Sequence, residues 1–228
     1  MKYLKNENGS AIFYLLWIMT TIVIISVIVL NIARVYVVKQ QAATGAQLGA
    51  IAATNEILAT TKAAIQEYDT EMARIIAERN AELEEGEEPE VYDPLWDSIW
   101  ERTNQLTAPG NSRQMAYIQA LNGILPSMLN DCSADDAPCL KEILYTKVFI
   151  DPAFRNQTYD VVKRIVIENG GNEERLEIKI SKDKYRVEIK TDATYESITD
   201  GSLLTSFSKD IKQQGYGLPL LYLKYVFN

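Results

Sequence analysis

The chain has three successive patterns of hydrophobic and polar positions. Residues 11–30 form an uninterrupted apolar run of 20 residues without one charge. Residues 34–85 follow with the spacing of a long helix. The last part of the chain holds shorter segments, several of which alternate apolar and polar residues as strands do. The pattern predicts an α+β protein in which one long N-terminal helix precedes a domain of short helices and a mainly antiparallel sheet.

The apolar run has the length of a membrane-spanning helix. At about 1.5 Å per residue, 20 helical residues span about 30 Å, the thickness of the hydrocarbon core of a bilayer. A cleaved secretory signal has a shorter apolar core and a small-residue cleavage site, and here Ile32 and Arg34 follow instead. We therefore expect residues 1–10 to precede a transmembrane helix over residues 11–33, with Ser10 as its N-cap. The flanking Lys and Arg residues balance on the two sides, so charge alone predicts no orientation.

The helix predicted over residues 34–85 has two candidate packing surfaces. The first is a stripe of small residues with four-residue spacing, which allows close approach of another helix; we call these residues the small-residue stripe: Ala42, Gly45, Ala46, Gly49, Ala50 and Ala53. The second is a seam of larger apolar residues spaced by seven, as in coiled coils; the seam consists of Ile51, Leu58, Ile65 and Met72. The sequence leaves open whether partner helices or the chain's own C-terminal domain cover these surfaces.

Residues 86–228 are predicted to form the α+β domain. Trp96 and Trp100 indicate a short amphipathic helix, and a second helix is expected after Asn111. Strands are predicted over residues 143–150, 158–168 and 217–227, and a helix over residues 202–213. Around residues 181–184 two alternating segments predict a hairpin, whose sheet has one buried and one solvated face.

Composition excludes several function classes. The net charge of −8 argues against a nucleic-acid partner, which requires a basic surface. The chain has no His, so triads and metal sites that depend on His are absent, and its two Cys residues do not suffice for a zinc site. We expect no catalysis, no metal and no cofactor, although a hydrolase that uses a pair of carboxylates stays open because acids are abundant. Outside the cytoplasm, Cys132 and Cys139 are close enough in sequence to form a disulfide.

The N-terminal part of the chain resembles a known family. An apolar anchor is followed by Arg-x-Tyr-Val-Val-Lys and then by an Ala-rich helix, as in TadE/TadG-like proteins of Tad (Flp-type) pilus assembly. The matching positions are Arg34, Tyr36, Lys39, Gln41, Ala42, Ala43, Ala46, Leu48 and Ala50. The resemblance covers about 45 of the 228 residues. Asn31 and Thr44 depart from it, since the family often has acids at both positions.

The resemblance implies a single-pass protein of the bacterial cell membrane, with a cytoplasmic N-terminus and an extracytoplasmic domain. The expected function is pilus assembly or a pilin-like structural role, in which the N-terminal helix packs against other subunits. The expected partners are the membrane, other pilus-assembly or pilin-like subunits and further copies of the chain. The alternative is a membrane-tethered sensor or ligand-binding domain. Gly9 and Ser10 stand where a prepilin-peptidase site is cut, but that motif expects Glu where this chain has Tyr14.

Overall fold

One helix dominates the structure. The computed structural model describes residues 7–84, 87–107, 110–130, 132, 138–194 and 210–227. The first helix, α1, runs from Glu7 to Ala81 without interruption and is therefore about 110 Å long. No proline occurs in it, and the apolar run and the Ala-rich part join in one helix. It begins before Ser10, so the prediction that Ser10 caps it is wrong.

Two short helices follow and pack against each other. The helix α2 (Leu95–Leu106) confirms the amphipathic segment expected around the two Trp residues. The helix α3 (Arg113–Asn130) begins after Ser112, whose hydroxyl accepts a hydrogen bond from the Met115 N–H at 3.2 Å. Ser112 is therefore the residue that caps α3. The side chain of Asn111, expected to do so, instead donates to the Leu106 carbonyl at 3.0 Å.

The strands predicted over residues 143–150 and 158–168 are helices. The helix α4 (Leu140–Tyr145) continues into a π-helical turn (Thr146–Ile150), and α5 spans Pro152–Glu168. Asp151 starts α5 because its carboxylate accepts from the Ala153 N–H at 2.8 Å, and Pro152 suits the first helical turn. The many β-branched residues of α5 suggested a strand, but the buried ones fall four apart, as on one helix face: Thr158, Val162 and Val166.

The sheet has three antiparallel strands in the order β1-β2-β3. They are β1 (Glu177–Ser181), β2 (Arg186–Thr194) and β3 (Asp210–Tyr216). The predicted hairpin is confirmed, with Ile178 opposite Ile189 and Ser181 opposite Arg186. Its turn is therefore residues 182–185, one residue later than expected. Tyr185 adopts a φ of 50° to close the turn.

The C-terminal segment differs from its prediction. Residues 210–213 belong to β3 rather than to a helix, and residues 202–209 lie outside the described part of the chain. The strand predicted over residues 217–227 is also wrong, because the chain turns after Pro219 and forms the helix α6 (Leu223–Phe227). Tyr222, Leu223 and Val226 are buried, a spacing that suits a helical turn rather than a strand.

The core of the domain surrounds the second half of α1. The strands β2 and β3 and the helix α5 pack along α1, and α2 and α4 contact it nearer its end. Val187 and Ile189 of β2 are buried on the face that meets α1. The fold is thus α+β, with a long helix running through a domain of short helices and a small antiparallel sheet.

Candidate functional site

The first third of α1 presents its apolar side chains to solvent on nearly every side. Phe13 and Trp17 are 76% and 68% exposed, and none of the most apolar 18-residue window of α1 is buried inside the structure. By length and composition this part of α1 can cross a membrane, which is weak evidence of a span, because signal sequences meet the same criteria. Gly9 and Ser10 lie in the first turns of α1.

The small-residue stripe is covered by the chain itself. Ala42, Ala46, Ala50 and Ala53 are fully buried or nearly so, and Gly45 and Gly49 are buried with them. A Cβ on Gly45 would lie 2.8 Å from Cβ of Asn169, the residue after α5, and one on Gly49 would lie 3.1 Å from Ile189 Cδ1 of β2. The stripe therefore packs on α5 and the sheet. Of the two alternatives that the sequence left open, the structure has the chain's own domain against the stripe, whose space is filled within the chain.

The strand β3 makes the closest approach to the stripe. A Cβ on Gly215 would lie 1.9 Å from the Ala46 carbonyl oxygen, and one on Gly217 would lie 2.1 Å from Thr54 Oγ1. Beside this contact the Gln47 amide bonds to the backbone of Tyr216, donating to its carbonyl at 2.8 Å and accepting from its N–H at 3.2 Å. Small residues on α1, with Gly215 in β3 and Gly217 just after it, thus let the helix and this part of the chain approach closely.

The seam also packs within the domain. Leu58 and Ile65 belong to the buried core, Met72 packs against it, and Ile51 is half-buried. Thr61, which lies between Leu58 and Ile65 in sequence, is fully buried, and its hydroxyl lies 2.8 Å from the Tyr222 hydroxyl. The seam therefore packs against the chain's own domain and not against partner helices, which was one of the two alternatives that the sequence left open.

Near its end α1 fixes the position of the chain that follows. The Asp69 carboxylate accepts hydrogen bonds from the Leu95 and Trp96 N–H groups, both at 2.9 Å, and from the Tyr92 hydroxyl at 2.6 Å. A carboxylate at the N-terminus of α2 satisfies N–H groups that no helical carbonyl reaches. Burial, with the hydrogen bond to Asp69, raises the pKa of Tyr92 well above its usual value.

Residues 87–93, which we call the acidic segment, project from this end of α1. Asn80 holds the segment by two hydrogen bonds of 2.8 Å, one to the Glu90 N–H and one to the Glu90 carbonyl. Glu90 and Tyr92 are thus turned toward α1, while Val91 between them is 87% exposed. An apolar side chain is thus exposed in a stretch of sequence that also carries the exposed acids Glu87, Glu88 and Asp93. None of these acids was assigned to a site from the sequence.

An apolar groove of about 600 Å³ opens between α5 and the edge of the sheet. Its floor is α1, at Ala53 and Ile57. One wall comes from the π-helical turn and α5, with Phe149, Phe154 and Thr158. The other wall is the inner face of β1, with Leu176, Ile178 and Ile180, all of them only half-buried. Its volume lies within the range of protein sites that bind ligands.

The polar groups of the groove favour an anionic occupant. Arg155 and Lys182 both line it, and within the described residues neither pairs with an acid. Glu177, also at the groove, is already paired with Lys179 and Lys190, and the hydrogen bond from Lys179 lowers the pKa of its carboxyl.

One buried hydroxyl in the groove lacks a partner. Thr158 is only 8% exposed, and its Oγ1 has no hydrogen-bond partner among the residues that the structure describes. A buried hydroxyl without a partner is costly, since it gives up its bonds to water. The groove was missed by sequence reasoning because its lining comes from six separate elements: α1, the π-helical turn, α5, β1, β2 and α6. Three of these, the π-helical turn, α5 and α6, lie in segments that were predicted as strands.

A cluster of aromatic rings lies on the opposite side of α1. Trp96 stacks on Trp100 and meets Tyr117 edge to face, with ring centroids 6.0 Å apart in both pairs. Lys62 and Arg113 cover the two Trp rings at 4.7 Å and 4.5 Å. Burial raises the pKa of Tyr117 to about 12. Since cations of the same chain already occupy the Trp faces, the cluster contributes to packing on this side of the domain.

Cys132 and Cys139 are joined by a disulfide, with their Cα atoms 5.1 Å apart. The bond closes the short connection between α3 and α4. Nowhere in the described residues do three His, Cys, Asp or Glu side chains cluster in a way that could hold a metal ion. Comparison with known proteins found no matching family model, no similar curated protein and no similar solved structure.

Proposed function

We propose that the protein is a single-pass, membrane-anchored structural protein of pilus assembly, of the Tad/Flp type suggested by its N-terminal sequence. In this proposal the N-terminus lies in the cytoplasm, residues 11–33 span the membrane and the α+β domain lies outside the cytoplasm. The protein acts by packing against other subunits and performs no bond chemistry.

The observation that carries the proposal is the division of one continuous helix into two environments. Residues 11–30 expose an apolar surface that water solvates poorly, whereas the same helix from Ala42 onward is buried in a folded domain. Exposed apolar area of this extent favours a bilayer or a bundle of similar helices. A rigid helix that joins such a segment to a folded domain transmits position and force from the membrane to that domain, as a filament subunit or a scaffold requires.

The covered stripe limits where partners can bind. Because Gly45 and Gly49 pack on α5 and β2, partner helices have to use the anchor segment or the outward face of α1, where Tyr36 and Val37 are exposed. The groove beside Arg155 and Lys182 and the acidic segment are further surfaces that the fold leaves uncovered. The proposal therefore places helix packing at the level of the membrane and assigns contacts between domains to other surfaces.

A topology experiment tests the proposal. Trypsin is added to intact protoplasts that produce the chain with one tag at each end, and both tags are followed by immunoblot. We expect loss of the C-terminal tag and survival of a short fragment with the N-terminal tag, and loss of both tags after permeabilisation. Full protection of the C-terminal tag would reverse the orientation and remove the pilus proposal with it.

A pair of variants tests whether the exposed run is the anchor. Replacing Ile24 and Ile25 by Lys places two charges at the centre of the run, at a cost of about 2.5–3.5 kcal/mol each in a bilayer. We expect the variant to leave the membrane fraction and to form no surface pili. The matched control is Ile150→Lys, because Ile150 is equally exposed but belongs to the domain. Equal membrane retention of both variants would contradict the anchor.

A further inference from the structure

The groove and the acidic segment are complementary in charge, and each presents an apolar surface to solvent. An occupant that suits the groove brings an apolar group for the space between α5 and β1 and negative charge for Arg155 and Lys182. The two cations otherwise contact only uncharged groups among the described residues, the Phe149 carbonyl and the Phe227 ring. The Thr158 hydroxyl, buried and without a partner, further favours an occupant that carries hydrogen-bonding groups. A short peptide that combines carboxylates with one aliphatic side chain meets all three requirements.

The acidic segment of this chain is such a peptide. It presents Val91 between carboxylates, and the Asn80 hydrogen bonds to Glu90 hold its backbone in place before any partner binds. A segment held in its binding conformation loses less entropy on docking than a flexible one. Val91 is also the most exposed large hydrophobic residue among those the structure describes.

The segment does not reach the groove of its own chain. The groove lies beside Ala53 and Ile57 of α1, whereas the segment is held at Asn80, 23 residues further along the same straight helix. At about 1.5 Å per residue this separation is about 35 Å. We propose that the acidic segment of one copy docks into the groove of a second copy, with Val91 between α5 and β1 and its neighbouring carboxylates against Arg155 and Lys182.

This contact joins two different surfaces and therefore propagates. A contact between unlike surfaces of identical copies continues from copy to copy and produces a ring or an open filament. With α1 helices parallel, the two copies are offset by about 35 Å along the helix axis, slightly more than the hydrocarbon core of a bilayer. In two copies that span the same membrane at the same depth, the acidic segment of one copy therefore lies about 35 Å beyond the groove of the other. The contact forms once one copy has moved outward by that distance. The inference rests on the proposed function and deepens it by naming the contact between subunits.

Cysteine crosslinking between two copies tests the contact. Full-length Val91→Cys and Lys182→Cys proteins are purified in detergent with different tags, mixed and treated with a short bifunctional maleimide. Both positions are exposed and the native cysteines are joined to each other, so the new thiols react alone. We expect a covalent heterodimer. The matched control replaces Lys182→Cys by Lys179→Cys, an exposed position on the outer face of β1, and should give at least about tenfold less product, since a docked side chain on the inner face does not reach it.

Charge reversal separates specific docking from collision. Arg155→Glu in the Lys182→Cys copy should lower the yield about tenfold or more, because like charges then face each other. Glu88→Lys in the Val91→Cys copy should restore much of it. The inference would be overturned by equal yields with Cys at residues 179 and 182, or by the absence of any heterodimer. It would also be overturned if neither charge change altered the crosslinking yield. Recovery of a lipid or metabolite bound in the groove by native mass spectrometry would also overturn it, in favour of a ligand-binding domain. The trypsin experiment measures membrane anchoring independently of the contact between copies. If the protein is anchored as proposed but does not crosslink, only the contact between copies is refuted.

Discussion

Replacing Gly215 by Ala should disrupt the closest contact in the domain. In the wild-type structure the added Cβ would lie 1.9 Å from the Ala46 carbonyl oxygen, 2.1 Å from the Ala46 carbonyl carbon and 2.5 Å from the Gln47 nitrogen. All three are backbone atoms of α1, so no side chain can rotate away. An ordinary contact of 3.4 Å would require β3 and α1 to separate by about 1.5 Å, the difference between 3.4 and 1.9 Å.

The loss of stability caused by that separation can be estimated from proteins in which an extra methyl group was added to a packed core. Overpacking by a methyl group costs about 1–3 kcal/mol where side chains can adjust, and we expect the upper end or more here because rigid backbone has to move. For a chain of this size, about 3 kcal/mol lowers the melting temperature by about 6–12 °C. The full-length protein in detergent is heated, and the fluorescence of Trp96 and Trp100, which lie in the domain, follows unfolding.

A second glycine provides the matched control. Gly123 lies exposed in α3, and a Cβ there meets nothing within 4 Å. Gly123→Ala should therefore stabilise the protein by about 0.4–1 kcal/mol, as in other helices. If Gly215→Ala melts within about 1 °C of the wild type, the packing of β3 on the small-residue stripe is wrong. If Gly123→Ala is equally destabilised, the effect belongs to glycine replacement in general and not to this contact.

Three further predictions address buried polar groups. Asp69→Ala should cost about 1–3 kcal/mol because it removes three hydrogen bonds at the start of α2, and Asp69→Asn should cost less; urea unfolding measures both. Thr61→Val should destabilise the protein by about 1–3 kcal/mol because it leaves the fully buried Tyr222 hydroxyl unpaired. Tyr222→Phe should cost less, since Thr61 keeps its hydrogen bond to the Ile57 carbonyl. Thermal melts compare the two variants, and a lower stability of Tyr222→Phe than of Thr61→Val would contradict this assignment. Because burial raises the pKa of Tyr117 from 10 to about 12, the folded state retains a proton that the unfolded state loses, so stability should fall as the pH rises from 10 to 12. Tyr117→Phe should weaken that decline in unfolding experiments across this range, and an unchanged decline would remove Tyr117 as a cause.

The sequence predicted elements whose local pattern and tertiary surroundings agree. The hairpin of β1 and β2 followed from strict alternation around Ile178 and Ile189, and α2 followed from apolar residues at helical spacing. The α5 segment failed because its β-branched residues favour strands locally, while packing against α1 and the Asp151 cap select a helix. The groove could not be predicted at all. Its cations, its unpaired Thr158 hydroxyl and its walls come from segments that only the fold brings together.

The small-residue stripe shows why a pattern can be correct and its interpretation incomplete. Four-residue spacing of Ala and Gly predicts that something approaches the α1 backbone closely, and it says nothing about whether a partner or the chain itself does so. The information that decides between them lies about 170 residues later, in two residues that sequence reasoning did not single out, Gly215 and Gly217. Glycines in a strand weaken it unless another backbone approaches there, so their presence in and just after β3 has a structural reason once Ala46 and Ala50 lie opposite. Because the stripe already packs on the domain of its own chain, the contacts between subunits that we propose would use the apolar anchor and surfaces that the domain leaves uncovered. The groove and the acidic segment are two such surfaces, and their charges are opposite.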